Sequence, residues 1–136
     1  MEFTTPDLSD AFPEAKALEL ILTNYGGRTS FFGPIQTLQC PDDNSLIREQ
    51  FNTEGNNQVL IVDAAGINTV ALLGDLIAGA GVKNNWSGIV INGYIRDVDI
   101  VKTLDIGVQA LGTYPVKSEK RGLGELGVEI SFGGLT

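Results

Sequence analysis

Histidine is absent from this chain. That absence excludes Ser–His–Asp and Cys–His catalytic groupings, imidazole-ligated zinc and the imidazole proton shuttle. Any metal must then be held by oxygen ligands, which favours a hard divalent cation such as magnesium or manganese. Cysteine occurs once, at Cys40, so neither an internal disulfide nor a thiolate cluster is available. Its setting in an alternating apolar stretch predicts a buried structural thiol. No apolar run approaches the ~20 residues of a membrane-spanning helix. Residues 1–6 have neither the basic nor the apolar region of a secretory signal. The expected compartment is the cytoplasm. Basic side chains are few, 9 against 17 acidic ones, for a net charge of −8. Such a surface repels phosphate backbones, so direct nucleic-acid binding is not expected, whereas divalent cations and protein partners are.

What is present suits one folded domain over residues 1–136: 43% hydrophobic and 19% charged residues, with no linker, repeat or charge block. Residues 7–11 read as a short helix stopped by Pro13. Residues 33–40 have strand composition and end in the turn signal Pro41-Asp42-Asp43-Asn44. Residues 45–51 read as a short helix carrying Ile47 and Phe51 on one face. Residues 58–63 form a continuous apolar run, as in a strand buried on both faces. After the small-residue turn at 64–66, a helical pattern reaches about Val82, with Leu73, Leu76, Ile77 and Ala80 spaced for one buried face. Residues 87–92 read as a second buried strand closed by Gly93, and residues 96–104 as a helix. A third strand is expected at 107–112, a loop at 117–127, and an alternating half-buried strand at 128–132. The central alternation of strands and helices predicts an α/β fold with a central, partly parallel sheet.

The chemistry concentrates between Gly74 and Asp99. Loops that follow adjacent parallel strands emerge at one edge of an α/β sheet, where ligands usually bind. Asp75 and the Arg96-Asp97 pair are therefore able to meet. Gly74 before a helix start leaves the N–H groups of Leu76 and Ile77 free to bind a carboxylate or phosphate. Arg96 suits bidentate grip of the same anion, and Asp97 suits a hard divalent cation. No lysine is expected to follow a strand in this region, which argues against a Schiff base. The same residues also have a plain structural reading. An Arg-Asp pair after a strand serves as a helix cap with a solvated charge, Asp75 as a first-turn acid, and Gly74 and Gly93 as turn formers.

Several segments carry a resemblance: Asn24-Tyr25-Gly26-Gly27-Arg28, Phe32-Gly33-Pro34-Ile35, Val59-Leu60-Ile61-Val62-Asp63, Asn84-Asn85-Trp86-Ser87-Gly88, Leu104-Asp105-Ile106-Gly107-Val108-Gln109-Ala110 and Phe132-Gly133-Gly134. Together with an Asp-x20-Arg-Asp element, here Asp75, Arg96 and Asp97, they resemble the RraA-like family. That family includes 4-hydroxy-4-methyl-2-oxoglutarate aldolases and regulators of ribonuclease E activity. Because all three motif residues are kept, the resemblance is to the enzymatic branch. It implies a swivelling β/β/α domain assembled as a homotrimer. It also implies that a C-terminal segment usual in relatives is lacking after Thr136.

The resemblance further implies a magnesium- or manganese-dependent lyase. Pyruvate's carboxylate would lie against Gly74, Asp75, Leu76 and Ile77. Arg96 would bind substrate oxygens, Asp97 would ligate the metal, and Asp75 would orient a water or Arg96. Retro-aldol cleavage of 4-hydroxy-4-methyl-2-oxoglutarate and decarboxylation of oxaloacetate both pass through a metal-stabilised pyruvate enolate. The proton of the 4-hydroxyl must then go to a carboxylate or a metal-bound water. The competing expectation is a non-catalytic regulator whose acidic surface docks on ribonuclease E and inhibits it.

Overall fold

The computed structural model describes residues 3–136. Its elements in chain order are α1 (Thr5–Ala11), β1 (Thr23–Asn24), β2 (Ile35–Gln39), α2 (Ser45–Phe51) and β3 (Val59–Asp63). They continue with α3 (Asp75–Lys83), β4 (Gly88–Ile95), α4 (Val98–Val101), β5 (Gly107–Thr113) and β6 (Glu125–Leu126). The strands make one sheet in the order β1-β5-β4-β3-β2-β6. The four central strands are parallel, and β1 and β6 close the two edges antiparallel. This is the expected α/β architecture with a partly parallel sheet.

Strand pleating sends alternate side chains to opposite faces. Leu38, Leu60, Val62, Ile89, Ile91, Val108 and Ala110 point to the face that packs under Ile47 and Phe51 of α2, Ala78 of α3 and Val101 of α4. Phe51 stacks obliquely on Trp86, ring centroids 5.3 Å apart. The opposite face carries Ile35, Thr37, Ile61, Val90 and Gln109, which border a trough of about 460 Å³ also walled by Leu18, Phe132 and Leu135. Cys40 is buried at the end of β2, as expected. No helix among the described residues is long and apolar enough to cross a membrane.

Several local expectations need correction. The helix expected to reach back toward residue 67 starts only at Asp75. Ahead of it, Ala71, Leu72 and Leu73 bond through their backbones to Val116, Tyr94 and Arg96. That ladder-like pairing with the end of β4 uses the groups a helix would need. The start point changes the helix phase: Ala78 and Gly81 face the core, whereas Leu76 is 84% exposed. Likewise, only Val98–Val101 is helical in the 96–104 stretch, and β4 runs through Gly93 to Ile95. Residues 117–127 contain the short edge strand β6. Residues 128–132 alternate in burial as expected but make no ladder. They are fastened by the Thr37 hydroxyl donating to the Val128 carbonyl, and turn back through a Phe132–Leu135 bridge. The two-residue strand β1 has too short a pattern to announce itself in the sequence.

Candidate functional site

The parallel pairing of β3 with β4 brings the segments that follow them to one edge of the sheet. Ile95 is fully buried and anchors the end of β4, and the Arg96 N–H donates to the Leu73 carbonyl at 2.9 Å. That bond sets Arg96 beside the start of α3. Asp97 then adopts a left-handed backbone conformation, φ 58° and ψ 36°, and caps α4. The turn swings its carboxylate back across the N-terminus of α3. Asp97 Oδ2 lies 3.4 Å from the Asp75 N–H and 3.8 Å from Arg96 Nε. Arg96 Nη1 donates to the Pro115 carbonyl at 3.3 Å.

Asp75, Arg96 and Asp97 are thus gathered around one cleft, together with Gly74, Leu76 and Ile77. Their detailed relations differ from the expectation in two respects. The guanidinium is oriented by Pro115 and Asp97, whereas Asp75 Oδ1 accepts from the Leu76 N–H. Of the N–H groups foreseen as an anion cradle, Leu76 is therefore engaged, and Ile77 has no partner among the described residues.

The third wall comes from Lys117, Ser118 and Lys120, in the segment after β5, and from Asn44 before α2. This corrects the expectation that no lysine follows a strand here. Residues 117–127, expected as a loop, reach the cleft from beyond β5, outside the pair of adjacent strands β3 and β4. Their attachment rests on Asp43, which is fully buried. One carboxylate oxygen accepts from the N–H groups of Arg121 and Leu123 at 2.7 and 3.1 Å, the other from Ser45. Burial alone would raise the Asp43 pKa, but bonds from the Ser45 hydroxyl and the Ser45, Leu123 and Arg121 N–H groups outweigh it and hold it at about 2. Ser118, also buried, accepts from the Asn44 N–H and donates to the Asp42 carbonyl. A Pro-Asp-Asp-Asn turn was legible in the sequence, but nothing in its spacing pointed to a partner some eighty residues away.

The cleft holds about 120 Å³. Three cationic side chains line it (Arg96, Lys117 and Lys120) against two carboxylates, Asp75 and Asp97, a local excess of one positive charge. On a chain of net charge −8 that inversion favours a small anion. No group of three or more His, Cys, Asp or Glu side chains suited to a metal occurs among the described residues.

The profile of the RraA-like family, described as Aldolase/RraA, matches residues 5–136. The chain belongs to that family. A Pseudomonas fluorescens relative bearing the name "Putative 4-hydroxy-4-methyl-2-oxoglutarate aldolase" is 53% identical over 135 residues, 98% of this chain and 83% of the relative. Two solved structures share the fold. One, from Geobacillus kaustophilus, is titled an S-adenosylmethionine:2-dimethylmenaquinone methyltransferase; it is 42% identical with a TM-score of 0.94, over 97% of this chain and 83% of that one. The other is the RNA-processing inhibitor RraA of Thermus thermophilis, 41% identical with a TM-score of 0.90, over 94% of this chain and 78% of that one.

Proposed function

We propose that this chain is a divalent-metal-dependent carbon–carbon lyase that cleaves 4-hydroxy-4-methyl-2-oxoglutarate to pyruvate and decarboxylates oxaloacetate. The observation that carries this reading is the convergence of the Asp97 carboxylate, the Arg96 guanidinium and the N-terminus of α3 on one small cleft. The names of the aldolase relatives support it. The cleft of about 120 Å³ suits a short acid.

The donor set fits a hard cation. Asp97 Oδ2 has only long contacts, 3.4 Å to the Asp75 N–H and 3.8 Å to Arg96. Magnesium commonly binds through one or two carboxylates and completes its shell with water and substrate oxygens. Held by Asp97, magnesium or manganese would polarise the 2-oxo carbonyl and offset the charge that builds on its oxygen. Arg96 grips the substrate's carboxylate, helped by the Ile77 N–H and the positive end of the α3 dipole. Lys117 and Lys120 balance the second carboxylate of a dicarboxylic substrate. In the retro-aldol reaction the C3–C4 bond breaks and its electron pair passes to one pyruvate as the enolate. The 4-hydroxyl gives its proton to a carboxylate or water of the cleft and becomes the carbonyl of the second pyruvate, and the enolate takes a proton at C3 to leave as the first. Oxaloacetate reaches the same enolate by losing carbon dioxide. The reading includes assembly as a homotrimer, which light scattering checks.

The deciding assay is oxaloacetate consumption with magnesium or manganese, with and without chelator, for wild type and Arg96→Ala. Turnover no faster than the spontaneous reaction would sink the proposal. The Thermus inhibitor's similarity favours a second reading, in which the acidic surface docks on a ribonuclease E and inhibits it without chemistry. Inhibition that survives Asp97→Ala, with no lyase turnover, would select it.

A further inference from the structure

Lys117 and Lys120 border the cleft as exposed side chains, and neither forms an ion pair among the described residues. Arg121, the next cation in their segment, is paired with Asp42 and Asp43, and Arg96 has Asp97 beside it. Two unpaired ammonium groups on one wall attract an anionic group beyond the one that Arg96 can grip.

The segment that carries them is tied down by side chains around the start of α2. Asp43 Oδ2 accepts from the Arg121 and Leu123 N–H groups at 2.7 and 3.1 Å. Ser45 Oγ accepts from the Gly122 N–H at 3.0 Å. Ser118, between the two lysines, turns inward at 4% exposure, where its Oγ accepts from the Asn44 N–H and donates to the Asp42 carbonyl. Asp43 is fully buried, so its carboxylate meets neither solvent nor a ligand in the cleft. Its influence on the cleft runs through the backbone it holds. Each of these ties uses one side chain, which makes the placement of the lysine wall sensitive to single substitutions.

We infer that Asp43 and Ser118 are positioning residues for substrate selection: they set Lys117 and Lys120 to meet the second carboxylate of a 2-oxo dicarboxylic acid, and so favour such acids over monocarboxylic ones. This rests on the reading of the cleft as a 2-oxo acid site. In that reading Arg96, the Ile77 N–H and the cation at Asp97 serve the 2-oxo acid end. Loosening the lysine wall therefore weakens one end of the ligand and spares the other. A change in fold alone has no such discrimination.

The test compares 2-oxoglutarate with 2-oxopentanoate, which share the 2-oxo acid end and differ at C5, a carboxylate in one and a methyl in the other. Neither has a 4-hydroxyl, so neither undergoes retro-aldol cleavage. Calorimetric titration with magnesium present should show wild type preferring 2-oxoglutarate by about tenfold. The double variant Lys117→Gln, Lys120→Gln should abolish the preference. Asp43→Asn and Ser118→Ala should each lower it by at least about threefold. Affinity for 2-oxopentanoate should stay within about twofold of wild type in all three. Circular dichroism checks that each is folded; if Asp43→Asn is not, Ser118→Ala decides alone. Equal affinity of wild type for the two acids overturns the inference and leaves the 2-oxo acid site standing. A preference that survives in the double lysine variant overturns it too, because another group then reads the second carboxylate. An undiminished preference in a folded positioning variant, or an equal loss for both acids, reduces that residue to a structural role and overturns its assignment. Failure of wild type to bind either acid defeats the reading of the cleft, and this inference with it.

Discussion

A Cβ placed on Gly74 would stand 2.8 Å from Oδ2 of Asp97, so the glycine heading α3 forms the hollow in which the carboxylate from beyond β4 rests. Gly74 has an ordinary extended backbone, φ −133°. Its need for a missing side chain is therefore one of space, not of conformation. Gly74→Ala should push Asp97 aside and weaken magnesium binding by about tenfold, at a stability cost of about 1 kcal/mol. Isothermal titration and thermal unfolding separate the two effects. Wild-type magnesium affinity in this variant would show that the contact is idle.

Asp97→Asn should abolish metal-dependent oxaloacetate turnover, with a loss of at least about a hundredfold. Its unfolding free energy should stay within about 0.5 kcal/mol of wild type, because asparagine tolerates the left-handed backbone as well as aspartate does. A turnover assay beside a denaturant melt tests both halves. Retained turnover under magnesium would remove Asp97 from the role of ligand.

Asp43 should give the chain a distinctive acid sensitivity. Its folded pKa of about 2 lies below its ordinary value of 3.8, so the folded state favours the carboxylate. The stabilisation is complete above the ordinary value and fades as pH falls from about 4 toward about 2. Wild type should lose stability across that window. Asp43→Asn should lose most of the slope and be less stable at neutral pH by at least about 2 kcal/mol. Denaturant melts between pH 2 and pH 7 give the comparison, and parallel curves for the two proteins would refute the assignment.

Cys40 should be chemically silent in the folded protein. Burial first, and then the negative charges of Asp43, Asp63 and Asp42, push its thiol up to about 12. The reactive thiolate is then scarce near pH 8. An aromatic disulfide reagent should label no thiol in native protein and one after denaturation. Rapid native labelling would contradict this burial.

The parts of this molecule written in local patterns were legible. The apolar runs of β3, β4 and β5 and the turn at Pro41-Asp42-Asp43-Asn44 read directly, because strand burial and turn chemistry are set by neighbours in the chain. Asp75, Arg96 and Asp97 were also legible as a group, since adjacent parallel strands deliver their following loops to one edge. What escaped was decided by distant pairing. The late start of α3 depends on backbone bonds from residues 71–73 to Tyr94, Arg96 and Val116, which no helical periodicity records. Leu76 fitted an apolar stripe counted from the wrong first turn and is in fact exposed. Lys117 and Lys120 entered the cleft unannounced, because the Asp43 carboxylate that fastens their loop bonds to residues 78 and 80 positions away in the chain.

The left-handed turn at Asp97 bears on how such a chain can change occupation. Aspartate and asparagine share that backbone preference, and their codons differ by a single base. If Asp97 holds the cation as proposed, one mutation removes that ligand while leaving the strand, the turn and the outer surface as they were. A lineage could abandon chemistry at this position and keep a folded, acidic body free to be selected for contact with other proteins. Return would require only the reverse change.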